Sequence, residues 1–427
     1  MLTPERTDSY CRILEMELIP ATGCTEPIAI AYAASVMRDT LEAVPDRMRV
    51  AVSGNIIKNA KSVVVPGTGG KKGIAAAAAA GVIAGDARRL LEVINGVTQA
   101  QRDRLSSYLA QTPITLECVE DGLTLDIRIT GWSGEDTAFV RIAGAHTNLV
   151  KIERNGKSLL DAPPVDAEHE SDAPSILNTA DIVAFADTVA IERVAPLLQR
   201  QLAMNLAIAQ RGFGGDCGAN IGRVLLSGDS NDLVTRARAW AAAGSDARMS
   251  GVELPVVIVS GSGNQGITAS VPVAVWAKEK GYSEEALLRA LIVSNLVTVH
   301  QKTGIGRLSA FCGAVCAGCG AGAGIAYLEG GGYDAVAHTV VNALAIVSGM
   351  VCDGAKASCA AKIATAVEAG ILGYRMYTQH QEFVSGDGIV VKGVDNTIRN
   401  VGRLAKDGMR ETETEILNIM LETEARG

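Results

Sequence analysis

Pro113-Ile-Thr-Leu-Glu-Cys-Val119, Leu123-Thr-Leu-Asp-Ile-Arg-Ile-Thr130, Thr137-Ala-Phe-Val-Arg-Ile-Ala143 and Asn148-Leu-Val-Lys-Ile-Glu153 alternate apolar with polar residues. Period-two alternation is the signature of half-buried strands. Asp121-Gly122, Ser133-Gly134 and Asn155-Gly156 punctuate these runs as turns. Residues 112–160 therefore predict a small antiparallel sheet. On both sides the pattern turns helical: 4–19, 27–41, a long stretch over 88–111, then 179–189, 190–211, 231–246, 283–300, 335–350, 357–369 and 411–424. The expected class is α+β, a mainly helical body made by both ends of the chain with a small antiparallel-sheet insertion subdomain. The expected divisions are 1–111, the sheet at 112–160, an acidic, proline-bearing linker at 161–175, and a helical part at 176–427.

Composition narrows the function. The chain has 427 residues, a net charge of −8 and only 4% aromatics. Nucleic acid needs a concentrated basic face and stacking platforms, so it is not an expected partner. The start, Met1-Leu-Thr-Pro-Glu-Arg-Thr-Asp8, has no basic region followed by an apolar core. The apolar tracts 73–85 and 340–352 fall short of the roughly 18 residues a membrane helix needs. The expectation is a cytoplasmic protein with no membrane partner. In a reducing compartment its nine cysteines point to metal, catalysis or burial rather than disulfides.

Two glycine loops follow short strands: Pro66-Gly-Thr-Gly-Gly-Lys71 and Ser260-Gly-Ser-Gly-Asn264-Gln265-Gly266. Free backbone N–H groups in such loops hold anions, and a carboxylate suits them as well as a phosphate does. Neither has the spacing of a P-loop. Cys24 in Thr22-Gly-Cys24-Thr-Glu-Pro27 stands just before a predicted helix, whose N-terminal partial charge favours thiolate. Lys302 and Lys356 are candidate bases if buried, and Arg307 is a natural carboxylate fork.

Cys312, Cys352 and Cys359 lie in Gly- and Ala-rich surroundings at spacings of 352 − 312 = 40 and 359 − 352 = 7. Thiolates in such settings favour iron–sulfur clusters or zinc, although free cysteine is also a small buried hydrophobe. Cys312-x3-Cys316-x2-Cys319 has the spacing of radical S-adenosylmethionine enzymes, but positions i, i+4 and i+7 also describe one packed helix face. Cys11, Cys118 and Cys217 have no companions and read as structural.

Ala21-Thr-Gly-Cys24-Thr-Glu-Pro27, Ser53-Gly-Asn55 through Lys61, Pro66-Gly-Thr-Gly-Gly70, Gly261-Ser-Gly-Asn-Gln-Gly266, Ile305-Gly-Arg-Leu-Ser309 and Ser348-Gly-Met-Val-Cys-Asp-Gly-Ala-Lys356 together resemble the L-cysteine desulfidase family, related to the alpha chain of iron–sulfur L-serine dehydratases. The likeness spans nearly the whole chain. It implies a [4Fe-4S] cluster rather than pyridoxal phosphate, with Cys312, Cys352 and Cys359 as ligands and Cys24 as a fourth ligand or a catalytic thiol. The implied reaction is β-elimination on L-cysteine, giving sulfide, ammonia and pyruvate. The substrate is then a small amino acid. Ser53, Asn55, Gly263, Asn264, Gln265 and Arg307 are candidates to cradle its carboxylate. Cys24, Lys61 and Lys356 are candidates for the base at Cα.

Three other functions compete at this level. An L-serine dehydratase would present the same cluster to a hydroxyl. A pyridoxal-phosphate eliminase would use the second glycine loop for phosphate and a lysine such as Lys61 for the Schiff base. A non-catalytic iron–sulfur sensor would need a basic reading element, which the acidic composition does not supply. The sequence does not fix the oligomeric state; a homodimer is the simplest expectation.

Overall fold

The structure is a computed structural model describing residues 2–120, 123–164, 176–228, 232–306 and 308–425. Most of the predicted linker, the turn at 121–122 and Arg307 lie outside the described residues. In chain order the elements are α1 (Pro4–Glu17), β1 (Pro20–Thr22), α2 (Thr25–Leu41), β2 (Arg47–Ser53), α3 (Gly54–Ala60), α4 (Gly73–Ala84), α5 (Gln99–Gln111), β3 (Ile114–Val119), β4 (Asp126–Ser133), β5 (Asp136–Ala143), β6 (Leu149–Arg154) and β7 (Lys157–Asp161). They continue as α6 (Thr179–Thr188), α7 (Ala195–Phe213), α8 (Ile221–Leu226), α9 (Leu233–Met249), β8 (Pro255–Val257), α10 (Gly263–Lys280), α11 (Glu284–Ile305), α12 (Gly313–Leu328), α13 (Gly332–Val347), α14 (Cys359–Thr378), α15 (Val394–Arg403) and α16 (Arg410–Ala425). The fold is α+β and mainly helical, as the pattern predicts.

The sheet is larger and more mixed than the local pattern implies. Its order is β3-β2-β4-β5-β6-β7, so β2, from well upstream, lies between β3 and β4. The β2–β3 pair is parallel, Val50 facing Leu116, and the remaining pairs are antiparallel. The predicted helix over 88–111 is also shorter. Thr98 and Gln101 form a reciprocal capping box that starts α5 at Gln99.

Within the sheet, the buried Asp126 carboxylate is gripped by Arg128 and Arg141 at 3.0 and 2.7 Å. Burial alone would raise its pKa; the two guanidinium groups outweigh that and lower it below 3.8. A depressed carboxylate stabilises the fold above its unfolded pKa and loses that contribution as pH falls through the folded value. Acid unfolding below about pH 4 is therefore expected to show an Asp126 contribution that Asp126→Asn lacks, read from denaturation midpoints across pH.

The helical body is built around α12, Gly-Ala-Val-Cys-Ala-Gly-Cys-Gly-Ala-Gly-Ala-Gly-Ile-Ala-Tyr-Leu, which packs against α10, α11, α13 and α14. Beyond its first turn, its glycines divide between two contacts. A β-carbon on Gly318 or Gly322 would stand 2.4 Å from Ala366 or Gly370 backbone atoms of α14, and one on Gly320 would stand 2.2 Å from Thr298 Oγ1 of α11. Helices that approach this closely leave no room for a methyl group. Gly322→Ala should therefore destabilise by about 1–3 kcal/mol, although alanine favours an unpacked helix by about 1 kcal/mol over glycine. Denaturant unfolding distinguishes the two signs.

Two short pairings bring distant loops together. β1 and β8 pair antiparallel, Pro20 facing Val257, which sets the Cys24 turn beside the Ser260–Gly266 loop. The Thr25 hydroxyl then donates to the Gly261 carbonyl at 2.9 Å. Phe311 and Val351 form an isolated antiparallel bridge; Cys312 N–H donates to Met350 O at 3.0 Å and Cys352 N–H to Ala310 O at 2.6 Å.

Candidate active site

Those pairings enclose a cavity of about 100 Å³ lined by, among others, Cys24, Glu26, Arg248, Cys312, Cys352 and Cys359. Four helices begin at its wall. Cys24 is the N-cap of α2, Ser262 of α10 and Cys312 of α12, while Cys359 opens α14 behind Ser358. None of the four cap side chains accepts a hydrogen bond from the backbone N–H groups of its helix. Each helix start carries uncapped N–H groups and partial positive charge, so the wall favours anions.

The three predicted ligands meet here. Cys312 lies opposite Met350 in the bridge and Cys352 two residues further on, so the two thiols form a diagonal pair on one face. Diagonal partners lie about 7–8 Å apart at Cα. Among the described residues no three His, Cys, Asp or Glu side chains are placed to hold a single metal ion. A polynuclear cluster takes each thiolate on a different iron and tolerates wider spacing. Burial first, and then the neighbouring Cys352, push the Cys312 thiol up to about 12; burial also raises Cys359. Cys352 adds to the raised pKa of both Cys312 and Cys359, and three close sulfurs in an anion-favouring wall fit a group that binds thiolates and supplies the positive charge. Asp353, between two of them, accepts from Lys356 and Lys362; these lysines overcome burial and hold its carboxyl at about 2. That clamp sets the path of the Cys352–Cys359 loop. Cys316 and Cys319 point elsewhere, fully buried on α12 and outside the cavity lining.

Cys24 departs from expectation. Its helix N-terminus predicts a thiolate, but complete burial and the adjacent Glu26 carboxylate raise its pKa well above 9. It stays a thiol and donates to Glu26 Oε2 at 3.0 Å. Thr25 Oγ1, whose one proton takes the shorter bond to Gly261 O, lies 3.1 Å from the same oxygen, and Oε1 accepts from Asn59 Nδ2 at 3.3 Å. His146, carried by the β5–β6 turn, stands 3.8 Å from Oε1, an ion-pair distance rather than a hydrogen bond. Burial works against the Glu26 carboxylate; His146 and the Cys24 thiol outweigh it and hold its pKa at about 2.

The other predicted residues divide. Asn264 and Gln265 line the cavity, and Gly263 abuts Arg248 at its edge. Lys302 lines it too, 5% exposed. Ser53 and Asn55 line a different hollow between α3 and α16, where the Ser53 hydroxyl donates to Thr124 O. Lys61 Nζ donates to Met420 O of α16 at 2.7 Å. Lys356 Nζ folds back onto Asp353 and Gly354. None of these four lines the cavity with the cysteines. Glu26 and Arg248 are residues that the pattern did not single out. Glu26 sat inside the quoted Cys24 motif. Arg248 carried one signal, a lone guanidinium in Ala241-Ala-Ala-Gly-Ser-Asp-Ala-Arg248, a run that is otherwise small.

Residues 88–418 match the serine dehydratase alpha chain family. The chain is 57% identical to a UPF0597 protein of Desulfitobacterium hafniense, over 97% of this chain and 96% of the relative. It is 47% identical to a UPF0597 protein of Lachnoclostridium phytofermentans, over 96% and 98% of the two chains. A UPF0597 protein of Treponema denticola is 44% identical over 98% and 99%. No helix among the described residues is long and apolar enough to cross a membrane.

Proposed function

The chain belongs to the serine dehydratase alpha chain family, and on that premise we propose that it is an iron–sulfur-dependent lyase that eliminates the β-substituent of a small L-amino acid. L-Cysteine is the proposed substrate; sulfide, ammonia and pyruvate are the products. One observation carries the reading: Cys312 and the two thiols of the Cys352–Cys359 loop line one cavity with four uncapped helix N-termini, beside a buried carboxylate and a buried guanidinium.

Cys312, Cys352 and Cys359 would hold a [4Fe-4S] cluster. With three protein thiolates, such a cluster offers one iron as a Lewis acid for the departing sulfur or hydroxyl. The remaining chemistry belongs to the chain. The proton leaving Cα needs an acceptor in the cavity wall. Glu26 is the carboxylate lining that cavity, and with the Cys24 thiol it forms one hydrogen-bonded proton-accepting unit. His146 holds the carboxylate charged and Asn59 orients it. Elimination leaves an aminoacrylate, which hydrolyses to pyruvate and ammonia.

L-Serine is the second reading for the substrate, favoured by the family description itself. Anaerobic assay of pyruvate from L-cysteine and from L-serine, with iron and acid-labile sulfide determined on the same sample, tests both. The proposal expects iron, sulfide and a preference for L-cysteine. A preference for L-serine selects the second reading, and iron-free protein that still forms pyruvate overturns the mechanism.

A further inference from the structure

Arg248 lies in the last turn of α9, in a segment where every residue from Ala241 to Met249 is buried. It is 2% exposed, lines the cavity, and its Nε is buried without a hydrogen-bond partner. No ion pair is formed by Arg248 among the described residues. A buried guanidinium with no counter-charge is expensive, and such groups persist where a ligand supplies the missing anion. Gly263 preserves its place: a β-carbon there would stand 2.4 Å from Arg248 Nε. Asn264 and Gln265 line the same cavity, and Asn264 Oδ1 and Gln265 Oε1 are both buried and both without a donor. Gln265 in turn needs Gly313, where a β-carbon would come within 2.7 Å of its carboxamide carbon.

This set combines unmet donors with unmet acceptors. Guanidinium N–H groups match a carboxylate in a planar fork. Carboxamide oxygens accept from an ammonium. Glu26 lines the same cavity, and its negative charge disfavours a carboxylate beside it.

We infer that Arg248 is the carboxylate-binding residue of this site, with Asn264 and Gln265 receiving the α-ammonium, so that the site takes α-amino acids with a free carboxylate and rejects their amides. The identity of the ligand rests on the lyase reading above. The recognition rests on the cavity alone. Arg248 lies outside the glycine loops, so this places carboxylate specificity in α9.

The test is calorimetric binding to anaerobically prepared protein, with L-alanine as probe because it has both charged groups and nothing to eliminate. L-Alaninamide is the comparison. Wild-type protein should bind the acid at least about tenfold more tightly than the amide. Arg248→Gln should retain its iron and sulfide and bind the two within about threefold, and Arg248→Lys, which keeps the charge without the fork, should fall between. Wild-type protein that binds both probes equally overturns the inference, as does a glutamine variant that keeps the preference. A variant that loses iron together with the preference makes Arg248 a counter-charge for the cofactor and also overturns it. Iron-free wild-type protein that still prefers the acid through Arg248 would sink the lyase reading and leave this assignment standing.

Discussion

Cys352→Ala should lose its iron and sulfide, and its β-elimination should fall by roughly a thousandfold or more. Removing one of three thiolates leaves a cluster that two cannot hold, and Lewis-acid assistance is worth several kcal/mol, each 1.36 kcal/mol being tenfold in rate. The position suits the test. Cys352 is only partly buried, and the contacts that fix its segment are backbone bonds: the Phe311–Val351 bridge and the Cys352 N–H to Ala310 O bond. Alanine keeps all of them, so the fold should survive and the loss can be assigned to the missing sulfur. Cys316→Ala is the matched control. That thiol is fully buried on α12 and outside the cavity lining, so its removal should cost packing and leave the iron in place. An iron loss of equal size in both variants would assign the effect to general destabilisation.

Glu26→Gln should lower kcat by about 10²–10⁴, the range for a lost acid–base group, with iron and sulfide unchanged. Gln is isosteric, so an acceptor for the Cys24 thiol persists while the negative charge disappears. Cys24→Ala separates the two halves of the unit: it removes the thiol and leaves the carboxylate beside Asn59 and His146. If Glu26 accepts the proton, the glutamine variant should be the slower of the two. Rapid iron loss from the Glu26→Gln protein would instead make the carboxylate a support for the cysteine wall.

The sheet was legible because alternation is a local signal, and four of its strands fall where the pattern puts them. The place of β2 was not, because the Arg47–Ser53 segment is distinguished only by the partners it finds at Ile114–Val119 and Ile127–Trp132. The three cysteines were legible as a group through spacing and surroundings, and the structure brings them to one cavity. Two kinds of site residue escaped. Lys61 and Lys356 are recognisable as charges in sequence, but direction is a tertiary property; one reaches α16 and the other its own loop. Cys24 is recognisable as a helix N-cap, yet full burial and a carboxylate 3.0 Å away outweigh the helix terminus. Arg248 is the converse case. Its one signal, a guanidinium in a run of small residues, gains meaning only when the cavity shows that it is buried and that its Nε lacks a partner.

The central claim is that three thiols grip a cluster and leave one iron for the amino acid. Mössbauer spectroscopy of anaerobic protein loaded with isotopically enriched iron, recorded with and without L-cysteine or L-serine, addresses it most directly. The account predicts about four irons per chain, of which one alone changes its spectrum when the amino acid is added. Protein that holds no iron, or iron whose spectrum is indifferent to the amino acid, would contradict it.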